Sequence, residues 1–269
     1  MLSNNNILLF FFLAISIACQ DIPKLDSQKS MSPEINQNSD SLQLQLLNYI
    51  LGRFDPGVDK DFVEVKSIHA DREGLLLRKE AYSAFVDMFD HASKDGFHLI
   101  IRSATRNFDY QKSIWEKKWS GETILSSGEN AFLAFPSDSL RAKKILEYSS
   151  MPGSSRHHWG TDIDLNSFDN AWFESGVGLE LFNWLETNAA TYGFCRPYTK
   201  KGPSRPEGYN EEKWHWSYLP LSQNLTKFAQ LHLKNDMLSG FEGSQSANQI
   251  NIVDNYVLGI DPSCFNSNN

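Results

Sequence analysis

Residues 154–165 read Ser-Ser-Arg-His-His-Trp-Gly-Thr-Asp-Ile-Asp-Leu, and the rest of the chain is best understood from this stretch. The alternation of polar and apolar residues at its end is typical of a strand, which would point Asp162 and Asp164 to one face. His157 precedes Asp164 with Gly160 between them, and a glycine permits a sharp bend at that point. An imidazole and a carboxylate brought together in this way can be two ligands of a zinc ion.

A second stretch, residues 211–216, supplies a further histidine. It reads Glu-Glu-Lys-Trp-His-Trp, and His215 is its only imidazole. Two histidines and one carboxylate leave one position of a tetrahedral ion open for water, which is typical of a catalytic zinc site. The pattern therefore predicts that His157, Asp164 and His215 are metal ligands.

The composition is that of a globular enzyme. Hydrophobic residues make up 41% and aromatic residues 13% of the 269 residues, values that argue against a disordered chain. A net charge of −8 argues against nucleic acid or an anionic membrane surface as the main partner. We expect one domain over residues 42–269, with a helical C-terminal tail.

The N-terminal part of the chain differs from the rest. Residues 7–18 form an apolar run of the length found in secretory signal peptides, so we expect residues 1–18 to be a signal peptide. The next residue is Cys19, and the run Ser-Ile-Ala-Cys resembles the lipobox of bacterial lipoproteins, although Ser16 replaces the usual leucine. This resemblance implies a lipid on Cys19, while ordinary secretory cleavage is the alternative. Residues 19–41 are polar, without aromatic residues, and are expected to form a flexible tether.

Hydrophobic periodicity predicts both helices and strands in the folded part. A short helix is expected from Leu42. Further elements are expected as follows: helices over 77–94, 107–118, 137–148 and 179–192, strands over 97–103 and from Phe194, a polar loop over 199–211, and two helices after 220. Because strands and helices do not alternate regularly, the fold class is α+β, with a central, mostly antiparallel sheet flanked by helices.

Two cysteines remain after Cys19. Cys195 and Cys264 would form one disulfide in an oxidising compartment, tying the tail to the strand at Phe194. The alternative is a pair of unrelated buried thiols, and the sequence leaves both possibilities open.

Three motifs in this sequence resemble those of a known family. Ser155, His157, Gly160 and Asp164 match Ser-x-His-x-x-Gly-x-x-x-Asp, Glu212 and His215 match Glu-x-x-His, and Ser103, Arg106 and Gln111 match Ser-x-x-Arg-x-x-x-x-Gln. Together they resemble the VanY-type zinc D-alanyl-D-alanine carboxypeptidases of peptidase family M15. The resemblance implies the M15, hedgehog-like peptidase fold, with one Zn²⁺ per chain bound on the sheet.

The resemblance also assigns roles to the remaining motif residues. Glu212 would be the general base. Arg106 would face the charge on the scissile carbonyl oxygen or pair with the terminal carboxylate of the substrate, with Arg102 as the competing candidate. Ser155 and Gln111 would contact the substrate or, alternatively, act as capping or surface groups.

The geometry around Glu212 sets a condition on this assignment. A plain strand through residues 212–216 would point Glu212 and His215 to opposite faces. Either a bulge re-aims one of them or Glu212 lies in the loop before the strand, and we expect the loop.

Two features depart from the family pattern. Asp162 replaces a residue that is usually small and apolar, and its carboxylate is either an outer partner of the site or an alternative ligand. The doublet of His157 and His158 makes the identity of the ligand a question of register, which the motif spacing answers in favour of His157.

The implied function is removal of the terminal D-Ala from peptidoglycan stem peptides by an exported, monomeric enzyme. It would act in the periplasm or cell envelope and meet the membrane only through a lipid on Cys19. Three alternatives remain: a peptidoglycan endopeptidase, a D,D-dipeptidase of the same family, and a non-catalytic zinc-binding or wall-binding module.

Overall fold

The computed structural model of the chain describes residues 33–265, with side chains from residue 40 onward. The predicted signal peptide and Cys19 lie outside these residues. Within the part described, none of the helices combines the length and the apolar character needed to cross a membrane.

Helices and short strands alternate irregularly along the described chain. The α-helices are α1 (Pro33–Ile50), α2 (Lys79–Lys94), α3 (Phe108–Trp119), α4 (Ala131–Ala134), α5 (Asp138–Ile145), α6 (Gly176–Asn188), α7 (Leu219–His232) and α8 (Ser246–Ile250). The strands are β1 (Phe62–Glu64), β2 (Leu76–Arg78), β3 (Ile101–Ser103), β4 (Asp162–Leu165), β5 (Phe194–Cys195) and β6 (His215–Tyr218).

The central sheet contains four strands in the order β3-β4-β6-β5, and every neighbouring pair is antiparallel. Strands β1 and β2 form a separate antiparallel pair. The prediction of a mixed fold with an antiparallel sheet is therefore confirmed.

One face of the central sheet is apolar. Ile163 of β4 and Trp216 of β6 belong to a core that also contains Leu77 of β2, Phe85 of α2 and Leu185 of α6. Because side chains alternate along a strand, the intervening residues of β4 and β6 must point the other way. The polar face of the sheet is therefore the one that carries the candidate ligands.

A second hydrophobic cluster joins helices from both halves of the chain. It includes Trp115 of α3, Ile145 of α5, Ala229 of α7, Ile250 of α8 and Trp159. Cys264 belongs to this cluster and is joined to Cys195 by a disulfide, so the tail is tied covalently to β5.

Several element boundaries differ from the predicted ones. Helix α1 begins at Pro33, nine residues before the predicted domain start at Leu42, because proline suits the first turn of a helix and no later breaker interrupts the polar run. Leu77 was expected on a helix and lies in β2, where it packs in the core.

The strand predicted over residues 97–103 is shorter than expected and covers only Ile101–Ser103. Just before it, the Ile100 N–H bonds to the side chain of Asn166 and not to a neighbouring strand. The helix predicted over 179–192 begins earlier, at Gly176, and continues beyond Asn188 as a 3₁₀ turn.

Candidate metal centre and active-site cavity

Pairing between β4 and β6 sets the position of two candidate ligands. Asp164 lies opposite His215 in this antiparallel pair, and Asp162 lies opposite Ser217. Residues directly opposite each other share a face of the sheet, so these four side chains converge on its polar side.

A tight turn brings His157 to the same place. Residues 156–159 form a 3₁₀ turn that ends at Gly160, whose φ is 69°. A side chain there would be strained by the left-handed backbone, and its Cβ would lie 2.4 Å from Cε1 of Phe62. Only glycine therefore fits this bend, which places Nε2 of His157 3.2 Å from Oδ2 of Asp164.

His157, Asp164 and His215 each offer one ligand atom, and these atoms lie within 4.8 Å of one another in a buried cluster. The other ring nitrogen of each histidine is occupied. Nδ1 of His157 donates to the carbonyl of Ala104 at 2.8 Å, and Nε2 of His215 donates to Oδ2 of Asp162 at 2.9 Å. Hydrogen bonds of this kind orient metal-binding imidazoles and set their tautomers.

The three side chains fit a divalent cation. Oδ1 of Asp164 lies 3.0 Å from Nδ1 of His215 without forming a hydrogen bond, so it is a buried oxygen with no hydrogen-bond partner. A buried carboxylate oxygen is costly in that condition unless a cation binds it. Imidazole nitrogens together with a carboxylate are a donor set typical of zinc.

The pKa values of the cluster residues are set by burial and by the neighbouring charges. Burial lowers the pKa of His157, and the nearby charge of Arg106 lowers it further. Burial also disfavours the charged form of His215, but the adjacent carboxylates of Asp162 and Asp164 raise its pKa to about 9. Burial opposes ionisation of Asp164, yet the two histidines hold the pKa of its carboxyl well below the usual range. A proton and a metal ion would therefore compete for Nδ1 of His215.

His158 has a different role from its neighbour. Its Nδ1 donates to the carbonyl of Arg106 at 2.6 Å, and its Nε2 accepts from the N–H of Gly153 at 2.9 Å. Burial lowers its pKa to about 3, so the ring stays neutral. Both nitrogens are thus engaged by backbone, and His157 is the member of the doublet that faces Asp164.

Asp162 is the centre of a buried polar network. Its carboxylate accepts from Nε of Arg156 at 3.1 Å, from Oγ1 of Thr161 at 2.6 Å, from Oγ of Ser217 at 2.7 Å and from Nε2 of His215. Arg156 also donates to Oγ1 of Thr226 and to Oγ of Ser217. The structure thus places Asp162 behind His215 as a hydrogen-bond partner.

Glu212 lies in the loop before β6, as the sequence analysis expected, because that strand begins at His215. Its Oε2 is 3.5 Å from Nδ1 of His215. Burial raises the pKa of Glu212 to about 8, with Asp164 contributing and His215, Arg106 and Lys118 opposing. The charge of a cation on the neighbouring ligands would further oppose this shift and favour the carboxylate.

The three candidate ligands and Glu212 line a cavity of about 480 Å³. Arg106 lines it, and its buried Nε has no hydrogen-bond partner. Gln111 also lines it, donating Nε2 to the carbonyl of Ser150 while its Oε1 has no partner. Ser155 is buried and its Oγ likewise has no partner. Arg102, the competing candidate, pairs instead with Asp71.

Several residues that line the cavity belong to none of the sequence motifs. Tyr198 packs its ring 4.6 Å from that of His215, and Lys118, Tyr148 and Tyr209 also line the cavity. Trp214 lines the cavity as well, whereas Trp159 and Trp216 belong to the two hydrophobic cores. No local pattern distinguishes these residues from ordinary loop or helix residues.

Comparison with known proteins identifies the family. The family model described as VanY, D-alanyl-D-alanine carboxypeptidase, matches residues 74–221, which include every candidate site residue. The chain belongs to this family. The prediction of a VanY-type peptidase of family M15 is therefore confirmed.

Relatives agree in name with the family. The chain is 31% identical over 205 residues to a putative carboxypeptidase, YodJ, of Bacillus subtilis, covering 74% of this chain and 66% of the relative. It is 30% identical over 136 residues to a D-alanyl-D-alanine carboxypeptidase of Enterococcus faecalis, covering 49% of this chain and 44% of the relative. The chain thus matches less than two thirds of the length of either relative.

The chain is also similar to proteins of known structure. VanYB in complex with D-alanine-D-alanine is 24% identical, with a TM-score of 0.46, and the match covers 64% of this chain and 84% of that one. The LD-carboxypeptidase LdcB is 24% identical, with a TM-score of 0.48, and the match covers 74% of this chain and 81% of that one.

Proposed function

We propose that this VanY-family chain is a zinc-dependent D-alanyl-D-alanine carboxypeptidase that removes the terminal D-Ala from peptidoglycan stem peptides. One observation carries the proposal: ligand atoms from His157, Asp164 and His215 lie within 4.8 Å of one another, in the same cavity as Glu212. The description of the family supports the choice of substrate class.

His157, Asp164 and His215 would hold one zinc ion. When bound, zinc would act as a Lewis acid toward the peptide carbonyl and lower the pKa of a water molecule. The hydrogen bonds from His157 to Ala104 and from His215 to Asp162 keep one nitrogen of each ring directed at the shared ligand position.

Glu212 would move the proton. As a carboxylate at the edge of the ligand cluster, it accepts a proton from the attacking water and later delivers it to the nitrogen of the leaving amine. The buried position of Glu212 beside His215 suits both transfers, because a proton-transfer group must lie within reach of both the water and the amine.

Arg106 would stabilise negative charge in the cavity. Its guanidinium is permanently charged, and the buried Nε without a protein partner is a donor available to an oxygen of the substrate. Gln111 lines the cavity, and its partnerless Oε1 is a further polar atom that would position the peptide. Ser155, the other proposed substrate-binding residue, also has a partnerless Oγ but is not among the residues that line the cavity.

The enzyme would work outside the cytoplasm. The disulfide between Cys195 and Cys264 supports this location, because such bonds persist in oxidising compartments. A signal peptide over residues 1–18, a lipid on Cys19 and a monomeric state remain proposals from the sequence.

The test replaces Glu212 by Gln and compares it with Glu211→Gln. Glu211 is the adjacent carboxylate but pairs with Arg196 at 2.9 Å, outside the ligand cluster. We expect Glu212→Gln to retain zinc and lose about 10²–10⁴-fold in kcat on a D-Ala-D-Ala pentapeptide, and Glu211→Gln to keep its activity within a few-fold.

Products identified by mass spectrometry on defined pentapeptide and tetrapeptide substrates decide among the alternatives. Loss of one D-Ala from the pentapeptide is the expected result. Cleavage at an internal bond would indicate an endopeptidase, and release of D-Ala only from the free dipeptide would indicate a dipeptidase. Zinc binding without any cleavage would indicate a binding module and refute the proposal.

A further inference from the structure

The active-site cavity contains a second cation that none of the family motifs includes. Lys118 lies two helical turns after Gln111 on α3, so both side chains leave the same face of the helix. Both line the cavity together with Arg106. The Nζ of Lys118 donates a hydrogen bond to Oγ of Ser149, which lines the same cavity.

Lys118 differs in its charge environment from the other lysines of α3. Lys112 pairs with Glu116 at 3.8 Å, and Lys117 pairs with Glu122 at 3.4 Å. Within residues 40–265, no carboxylate forms an ion pair with Lys118 or with Arg106. Two cations thus share one cavity without a protein anion bound to either.

This arrangement is costly for the protein alone. Burial lowers the pKa of Lys118, and the neighbouring charge of Arg106 lowers it further, while Glu212 opposes both effects. An ammonium that is partly desolvated next to a guanidinium is destabilised unless an anion joins it. Arg106 and Lys118 therefore form a positively charged wall of the cavity to which no carboxylate of residues 40–265 is paired.

The acidic residues of the cavity do not neutralise this wall. Glu147 pairs with Lys144 at 3.1 Å, and Asp169 accepts from the N–H of Ala171 at 3.0 Å. Asp164 contacts the two histidines, and Glu212 lies beside His215. Each carboxylate thus has its own neighbours. An anion that pairs with the wall formed by Arg106 and Lys118 has to come from the substrate.

We infer that Lys118 and Ser149 form a binding site for the free C-terminal carboxylate of the substrate peptide. The inference rests on the proposed function and deepens it. The backbone N–H of Arg106 donates to the carbonyl of His157 at 3.2 Å, and both residues line the cavity with Glu212. This position beside the candidate ligands suits Arg106 to the scissile carbonyl. With a separate cation for the terminal carboxylate, the cavity selects a peptide end and disfavours an internal bond.

The test measures binding in the Glu212→Gln background, where hydrolysis does not interfere. The zinc-loaded variant is titrated with N-acetyl-L-Lys-D-Ala-D-Ala and with its C-terminal amide by calorimetry. We expect the carboxylate to bind about 10–100-fold more tightly than the amide, as for a charge-assisted hydrogen bond to a buried cation. Adding Lys118→Met, which keeps the length of the side chain, should reduce this preference to a few-fold.

Two further variants control for structural effects. Lys117→Met removes the adjacent, surface-paired lysine of the same helix and should leave the preference unchanged. Lys118→Arg keeps the charge and should retain most of it. Thermal unfolding of each variant checks the fold, because a merely structural role would lower the midpoint without changing the ratio of the two dissociation constants.

A peptide with Glu in place of Lys identifies the source of the carboxylate. If Lys118→Met weakens only this peptide, the site binds a side-chain carboxylate and the inference is overturned. It is also overturned if the acid and the amide bind equally well, or if the preference survives Lys118→Met. Failure of the wild type to hydrolyse any peptide would refute the proposed function, while the binding ratio would still report on Lys118.

Discussion

Replacing Asp162 by Ala should destabilise the protein far more than a typical substitution does. The side chains of Asp162 and Arg156 are both 0% exposed, and they form an ion pair at 3.1 Å. Removing one partner of a buried pair leaves an uncompensated charge and costs about 3–5 kcal/mol. In a domain of this size, that loss corresponds to a fall of about 6–20 °C in Tm.

The assay is guanidinium unfolding in the presence of a chelator, so that bound metal does not contribute. Four proteins are compared: wild type, Asp162→Ala, Arg156→Met and the double variant. Because the double variant leaves no unpaired charge, it should be less destabilised than the sum of the two single variants, by about 1–3 kcal/mol. A single Asp162→Ala within about 1 kcal/mol of wild type, or strictly additive effects, would refute this reasoning.

The same double variant separates folding from metal binding. It lacks the carboxylate that accepts from Nε2 of His215, so the ring is no longer held in one orientation. Its zinc affinity should fall about 10–100-fold even where the fold is intact, as measured by competition with a chromogenic chelator. Unchanged affinity would mean that the strand pairing alone orients His215.

Three other predictions concern the fold and the metal. Gly160→Ala should lower Tm more than Gly96→Ala: both glycines have positive φ, but only at Gly160 would the added Cβ meet a ring, that of Phe62. Equal falls in Tm would exclude the contact with Phe62 as the cause. Replacing Cys195 and Cys264 by Ser should lower the free energy of unfolding by about 4 kcal/mol, because the disulfide closes a loop with a sequence separation of 69. A reductant should lower the Tm of the wild type but not that of the variant. Zinc affinity should fall as the pH decreases from about 8 to about 6, because protons compete with zinc for the imidazoles. The raised pKa of His215, about 9, extends this competition to neutral pH. A zinc affinity that does not change with pH, measured by chelator competition, would contradict this prediction.

Local patterns predicted the parts of the site that depend on neighbours in the sequence. The alternation at Asp162–Leu165 correctly assigned its two faces, because the period of a strand is a local property. The loop position of Glu212 followed from the same rule. The bend at Gly160 was also predictable, since its φ requires glycine.

Contacts between distant segments could not be predicted. Lys118 and Tyr198 reach the cavity only because α3 and the loop before β6 pack beside the sheet, and neither carries a local signal. Asp162 was recognised as unusual, but its partner Arg156 was not, because the pair forms only when the 3₁₀ turn folds back over β4. The shortened β3 likewise depends on the side chain of Asn166, 66 residues from Ile100.

The pairing of Asp164 with His215 across β4 and β6 has a consequence for how the chain can vary. Deleting or inserting one residue in either strand would rotate every following side chain to the opposite face and exchange ligands for core residues. Substitutions at the apolar positions of these strands can be absorbed one at a time, whereas changes of length would remove the metal centre and the core together. Natural variation in length should therefore be confined to the surrounding loops, such as the long connection between β5 and β6.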